Sequence, residues 1–208
     1  KNSGSEIERA GLTGGKLYGL KASVANEVSS TGVSGGLTLV PVFGDGNALG
    51  KTGAQLQSDS VARGITQFAR PEDGAWDPTN PNTFYFVTTD SFNGFSRLYK
   101  ITFSDVANPD AGLEIVPVLN SQDIGGHMFD NMTISSDGKI YIQEDPGNNA
   151  YLAATWEFDP STGQAVKVMV SDAKRFLSGS ALFLTQDEEN SGIIEITDLV
   201  TDTDWYEA

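Results

Sequence analysis

The chain has 208 residues, and its 28 Asp and Glu against 13 Lys and Arg give a formal net charge of −15. Such a surface repels nucleic acid and anionic membranes, so neither is expected as a partner. The absence of cysteine excludes disulfides, zinc thiolates and thiol catalysis within this chain.

No run approaches the roughly 18 consecutive apolar residues that a membrane span needs. The chain begins at Lys1 without a signal-peptide pattern, which favours a mature product or a fragment. An acidic, glycine-rich chain without cysteine is typical of a periplasmic or secreted protein. The excess negative charge would attract divalent cations, or it would serve solubility alone.

Residues 1–15 are rich in Gly and Ser and predict a loosely ordered N-terminal segment. The stretch 44–63 reads as a long loop, at most with a helical turn. No amphipathic helix of ordinary length is evident, so the pattern predicts an all-β fold of about eleven strands. The predicted strands are 16–25, 36–43, 84–89, 97–103, 113–119, 131–135, 139–143, 155–158, 165–170, 181–184 and 192–196.

An internal repeat runs through the second half of the sequence. Each of its three copies consists of an apolar strand that ends in an acidic residue, followed by a second apolar strand. The copies are FYFVTTD with RLYKI, KIYIQED with TWEF, and LFLTQDE with GIIEI. Their spacing of roughly 40–55 residues is that of β-propeller blades. We therefore predict that residues 1–208 form one β-propeller domain or part of one. The chain holds about four blades, so the rest of a six-bladed propeller would lie elsewhere.

Two motifs precede predicted inner strands: Arg70-Pro71-Glu72-Asp73, and Asp130-Asn131. In a propeller such positions point toward one central channel, so we expect Glu72 and Asp130 to face each other across an oxygen-lined hollow. Carboxylate and amide oxygens suit Ca²⁺, which takes 6–8 oxygen ligands. The alternative is that these residues bond to their own backbone at turns and strand ends. The candidate metal ligands are Glu72, Asp73, Asp130, Asn131, Glu144 and Asp145.

Arg70 is the candidate catalytic residue, because its guanidinium fork can bind a phosphate or carboxylate bidentately. Its alternative role is an ion pair with Glu72 or another neighbour. His127, the only histidine, is a candidate acid, base or ligand, or an incidental loop residue. The acidic run 187–189 is interpreted as a solvated loop, with weak cation binding as the alternative.

The run RPED at 70–73, followed by FDN at 129–131 and SDGKIYI at 136–142, resembles PhoX-type alkaline phosphatases and their bacterial relatives. The segment SGIIEI at 191–196 is similar to a late blade of that family, and the resemblance covers 63–199, its C-terminal half. It implies a secreted six-bladed propeller with calcium and iron in its channel, and hydrolysis of phosphomonoesters. Arg70 would lie near phosphate, Glu72 would bind metal, and Asp130 and Asn131 would form the second channel motif. The family's iron site uses a cysteine, which this chain lacks.

Three functions follow from these patterns. The first is the calcium-binding part of a PhoX-like metallophosphatase acting on a phosphate ester or another small anionic substrate. It would need an N-terminal half, which could be a separate chain, to complete the iron site. The second is a non-catalytic calcium-binding propeller that binds a partner or a surface polymer. The third is a lactonase-like calcium propeller.

Overall fold

The computed structural model describes residues 4–10, 13–27 and 31–197. Within them the chain is mostly β. The strands are β1 Tyr18–Lys21, β2 Gly35–Pro41, β3 Pro71–Trp76, β4 Thr83–Thr88, β5 Arg97–Phe103, β6 Leu113–Asn120, β7 Phe129–Ile134, β8 Ile140–Glu144, β9 Ala154–Asp159 and β10 Gln164–Val170. The α-helices are α1 Glu6–Arg9, α2 Gly53–Ala62, α3 Ser121–Ile124 and α4 Ala173–Phe176, and short 3₁₀ turns lie at Val42–Gly44 and Pro109–Ala111.

The strands form two sheets. The first has six strands in the order β1-β2-β6-β5-β4-β3, and the second has four in the order β10-β9-β8-β7. In the second sheet each strand pairs antiparallel with its neighbour in sequence. In the first, β2 pairs with β6, which lies more than 70 residues later in the chain, as in the partners Gly35 and Ile115.

The predicted β-propeller, whether whole or part of a six-bladed one, is wrong. A propeller needs a series of four-stranded blades, whereas here six strands join in one sheet and only four form the other. The third repeat copy also fails, because neither 181–184 nor 192–196 forms a strand. Leu182, Leu184 and Ile194 remain exposed, so these apolar runs bury too little surface to form a sheet.

The chain divides into two compact units, Lys1–Phe68 with Phe103–Ile115, and Ala69–Thr102 with Val116–Ala208. The first unit contains α2, which lies in the predicted loop. Thr52 and Gln55 form a capping box at its start, and no α2 residue is buried. Because α2 has no apolar face, its sequence shows no helical periodicity. The capping box at its start is the one helix signal that the sequence carries. The loosely ordered segment predicted for residues 1–15 stays a prediction, since five of these residues lie outside the described ranges.

The second unit contains a hydrophobic core and every candidate site residue. Its strands alternate as the sequence predicted, and the inward-facing side chains pack together. The buried members of this core are Tyr85, Val87, Leu98, Leu119, Phe129, Met132, Ile140, Ile142, Ala154, Trp156 and Phe158. No helix in the described ranges is long and apolar enough to cross a membrane.

Candidate functional site

The two sequence motifs begin adjacent strands with the same local geometry. Arg70 and Met128 each have positive φ, 58° and 44°, immediately before β3 and β7. The carbonyl oxygens of both residues accept a backbone hydrogen bond, from Thr89 N at 2.9 Å and from Asp145 N at 3.0 Å. Positive φ is uncommon outside glycine and is often found at functional sites. Both motifs lie at the start of a strand, although no strand was predicted over 71–76 and neither strand belongs to a propeller blade.

Both strands also bulge at their acidic residues. The β3–β4 register shifts between Pro71 and Gly74, and the β7–β8 register shifts between Phe129 and Asn131. A bulge adds an unpaired residue to one strand and re-aims its side chain. Glu72 and Asp130 both lie within these shifts, so neither follows the ordinary in-and-out alternation of its strand.

The structure brings Asp130 close to other charged groups. Partial burial first, and then the negative charges of Glu72, Asp145 and Glu189, raise the pKa of Asp130 to about 6 against the opposing charge of Arg70. Three carboxylates from separate stretches of chain therefore act by their charge on Asp130. We call Glu72, Asp130, Asp145 and Glu189 the acidic cluster.

Asp73 and Asn131 support this cluster through hydrogen bonds. Asp73 Oδ2 accepts a hydrogen bond from the backbone N–H of Met132 at 3.0 Å, and its Oδ1 accepts one from Gly74 N at 2.8 Å. Asp73 thus ties β3 to β7 through Oδ2, while Oδ1 bonds within β3. Asn131 Nδ2 donates to Asp130 Oδ2 at 2.6 Å, which orients that carboxylate.

Arg70 is half-exposed at the edge of the cluster. Its Nη2 lies 3.7 Å from Glu72 Oε1, and its Nη1 donates to the carbonyl oxygen of Asp90 at 3.2 Å. The ion pair with Glu72 is the alternative that the sequence had left open. It does not exclude anion binding, because a guanidinium carries five N–H donors.

Glu144 and Asp145 are adjacent but differ in role. Glu144 is fully buried, and its carboxylate accepts hydrogen bonds from four donors of the surrounding chain. Burial raises the pKa of Glu144, and these hydrogen bonds oppose the rise. Asp145 is partly buried, and its Oδ1 accepts from Gly147 N at 2.9 Å. The structure therefore brings Asp145, but not Glu144, into the acidic cluster.

His127 is held in an aromatic stack rather than in the acidic cluster. Its ring lies on Phe92 at 4.3 Å between centroids and 7° between planes, and meets Tyr151 edge-on at 4.7 Å. His127 Nδ1 lies 2.6 Å from the carbonyl oxygen of Phe92. Because a carbonyl only accepts, Nδ1 carries the proton.

The run 187–189 is less solvated than its sequence predicts. Glu188 is buried, although the run was interpreted as a solvated loop, and the charge of Glu189 acts on Asp130. The signal was present in the repeat, whose third copy ends in this acidic run as the others end in Asp90 and Asp145. Burial of a single acid within such a run leaves no pattern in the sequence.

By the chemistry of its donors alone, the cluster resembles a calcium site more than an iron site. The cluster offers only carboxylate and amide oxygens, while the sequence has no cysteine and its single histidine is engaged by Phe92. In the described ranges no group of three or more His, Cys, Asp or Glu side chains is arranged to hold a metal ion. A calcium ion here would therefore also need amide oxygens and water as ligands.

Comparisons with protein-family models, curated proteins and solved structures found no match to this chain. The resemblance to PhoX-type phosphatases accordingly rests on the short motifs alone. The activity that it implies stays a prediction.

Proposed function

We propose that this protein is a non-catalytic calcium-binding domain, with its cation site in the acidic cluster. One observation carries the proposal: Glu72 and Asp145 come from separate stretches of chain, yet the charges of both act on Asp130. Arg70 is the cation that acts on Asp130 in this arrangement. A bound divalent ion would relieve the remaining repulsion.

Calcium fits this cluster better than magnesium. Ca²⁺ accepts irregular sets of carboxylate, amide, carbonyl and water oxygens, whereas Mg²⁺ demands near-ideal octahedral geometry. The cluster contributes acids from bulged strands and a loop, an irregular arrangement. Because water must supply part of the shell, we expect a Kd on the order of 10⁻⁴–10⁻³ M, typical of extracellular modules. That range agrees with the proposed periplasmic or secreted location.

Substituting Asp130→Asn should separate charge repulsion from calcium binding. At pH 7 the Asp130 carboxylate is ionised, and its raised pKa means that this ionisation lowers the free energy of unfolding. With calcium removed by chelator, Asp130→Asn should therefore be more stable than wild type by about 1 kcal/mol, a figure reduced for the partial exposure of the side chain. The folded pKa of Asp130 lies above its unfolded value. This cost is therefore absent below about pH 4, grows as pH rises through about 6, and is constant above.

Urea unfolding from pH 4 to pH 8, with calcium and with chelator, measures both effects. At free calcium ten times Kd, wild type should gain about 1.4 kcal/mol and Asp130→Asn much less. Asp110→Asn, which alters an exposed aspartate of the first unit, is the matched control and should keep the full calcium response. An equal calcium response in Asp130→Asn and wild type would rule out this site.

Phosphomonoester hydrolysis is the second candidate, and the backbone of Arg70 favours it. A non-glycine residue held at φ 58° beside a cation site is a strained position of the kind found at ligand clamps. Its guanidinium could hold phosphate bidentately while the cluster binds calcium. No comparable observation favours lactone hydrolysis, although lactones can be tested as substrates in the same assay.

Hydrolysis of p-nitrophenyl phosphate in calcium tests this candidate. If it is correct, wild type should turn over and Arg70→Ala should lose about 100-fold or more in kcat/KM, as for removal of an electrostatic clamp. Arg175→Ala is the matched control, because Arg175 is equally exposed and forms an ion pair with nearby Asp172 at 3.6 Å. Absence of turnover in wild type would refute calcium-dependent hydrolysis by this chain and leave calcium binding intact.

A further inference from the structure

A cavity of about 470 Å³ lies between the β7–β8 hairpin and the end of the segment 185–197, which we call the strap. The hairpin wall includes Thr133 of β7, Tyr141 of β8 and the turn between these strands. The strap, which has no helix or strand, forms the other wall. The volume is within the range of about 300–1,000 Å³ that small-molecule sites occupy. None of the lining residues belongs to the acidic cluster.

Glu195 of the strap holds the two walls together. Its Oε2 accepts from the backbone N–H of Ser136 at 2.7 Å, and its Oε1 accepts from the Ser136 hydroxyl at 3.0 Å. The hydroxyl of Thr197 also donates to Oε1, at 3.0 Å. Because three hydrogen bonds fix this carboxylate in the wall, the cavity is formed before any ligand binds.

The side chains that line the cavity offer acceptors rather than donors. Four lining hydroxyls donate to a neighbouring carboxylate: Ser135 to Asp137, Ser136 and Thr197 to Glu195, and Tyr141 to Glu157. An ionised carboxylate only accepts, so the direction of each of these bonds is fixed. These hydroxyls therefore present only lone pairs to a ligand, and the ligand must bring the donors.

The cavity is also negatively charged. Asp137 and Glu195 line it, and Lys139, close to Asp137 in sequence, pairs instead with Asp159. Among the described residues of the lining, none is Lys or Arg. The pKa of Tyr141 is raised first by the hydrogen bond to its carboxylate partner, then by burial, and then by negative charges that include both lining carboxylates. A cationic ligand would compensate this charge.

Isoleucines of the strap supply the apolar part of the wall. Ile193 is partly buried, whereas Ile194 and Ile196 are 75% and 45% exposed. An alkyl chain in the cavity would cover these side chains and remove apolar surface from water. The walls together fit a molecule that is cationic at one end and aliphatic along its length.

We propose that this cavity binds an aliphatic amine, whose ammonium group donates to Glu195 while its alkyl chain lies against the strap isoleucines. A carboxylate has about four lone-pair sites, and three donors already use sites on Glu195, so one more donor can bind. A guanidinium fork fits less well, because it needs both oxygens of a carboxylate along one edge. An ammonium is a compact charge with three rotatable donors.

Amide NMR of ¹⁵N-labelled protein, titrated with n-butylammonium chloride, tests the assignment. The signals of Ser136, Glu195 and the strap isoleucines should shift and saturate, since the Ser136 amide is bonded to Glu195. Butan-1-ol lacks the charge and methylammonium lacks the chain. At equal ionic strength each should bind about tenfold or more weakly than n-butylammonium.

Matched variants separate the charge from the apolar wall. Glu195→Gln keeps an acceptor for the Ser136 amide but removes the charge, so it should weaken n-butylammonium binding about tenfold. Glu114→Gln removes the same charge from an exposed position of β6 and should bind as wild type. Ile194→Ser, at an exposed position that tolerates substitution, should reduce the preference for n-butylammonium over methylammonium.

Two results would overturn the proposal. One is the absence of any shift at the cavity signals with n-butylammonium. The other is equal binding of n-butylammonium by Glu195→Gln and wild type, which would leave only a diffuse attraction of cations to the acidic chain. In either case the calcium site stands, because it shares no residue with the cavity.

Discussion

Replacing Glu144 by Ala should destabilise the protein by about 4 kcal/mol, or prevent folding. Its carboxylate accepts from His127 N and Ala154 N, each at 2.8 Å, from Trp156 Nε1 at 2.9 Å and from Tyr151 Oη at 3.3 Å. Deleting it leaves these donors without an acceptor at a fully buried position, and each unsatisfied donor costs about 1–3 kcal/mol before the structure relaxes.

Urea unfolding in chelator decides what Glu144 does. The sequence made it a candidate calcium ligand, and in that role its loss would matter only when calcium is present. As an internal hydrogen-bond acceptor it should cost the full amount without calcium. Glu114→Ala, at an exposed position of β6, should stay within about 0.5 kcal/mol of wild type. A Glu144→Ala protein of wild-type stability in chelator would contradict the structural role.

The sequence predicted strands well and their assembly poorly. Alternation with period two depends on each strand's own residues, so most segments between 84 and 170 were placed correctly. Which strands share a sheet depends on distant pairing, and β2 joins β6 through Gly35 and Ile115. Nothing in either segment encodes that partner. The repeat therefore suggested blades where the chain forms a six-stranded sheet.

The candidate site was partly predictable for a similar reason. Arg70, Glu72 and Asp130 stand out because acids and a cation occur beside strand starts, and the structure brings them together. The bulges and the positive φ of Arg70 were not readable, since neither requires glycine or a special sequence. Burial of Glu188 depends on the course of the strap, which has no regular structure.

Substituting Gly74→Ala should destabilise the protein by about 3 kcal/mol and weaken calcium binding with it. A Cβ at this position would lie 2.8 Å from the carbonyl oxygen of Tyr85 and 2.7 Å from the ring of Phe84. The ring can rotate, but the backbone oxygen belongs to β4 and moves only if the strands separate. Overpacking of this kind costs about 1–3 kcal/mol, and a backbone obstacle places the substitution at the upper end.

The same clash should reach the acidic cluster, because Gly74 follows the bulge that carries Glu72 and Asp73. If β3 shifts, the hydrogen bond from Met132 N to Asp73 lengthens, and Glu72 moves relative to Asp130. Gly36→Ala in β2 is the matched control, since nothing lies within 4 Å of its added Cβ, and it should leave stability and calcium affinity unchanged. A Gly74→Ala protein that unfolds and binds calcium as wild type does would show that the contact between β3 and β7 does not position the cluster.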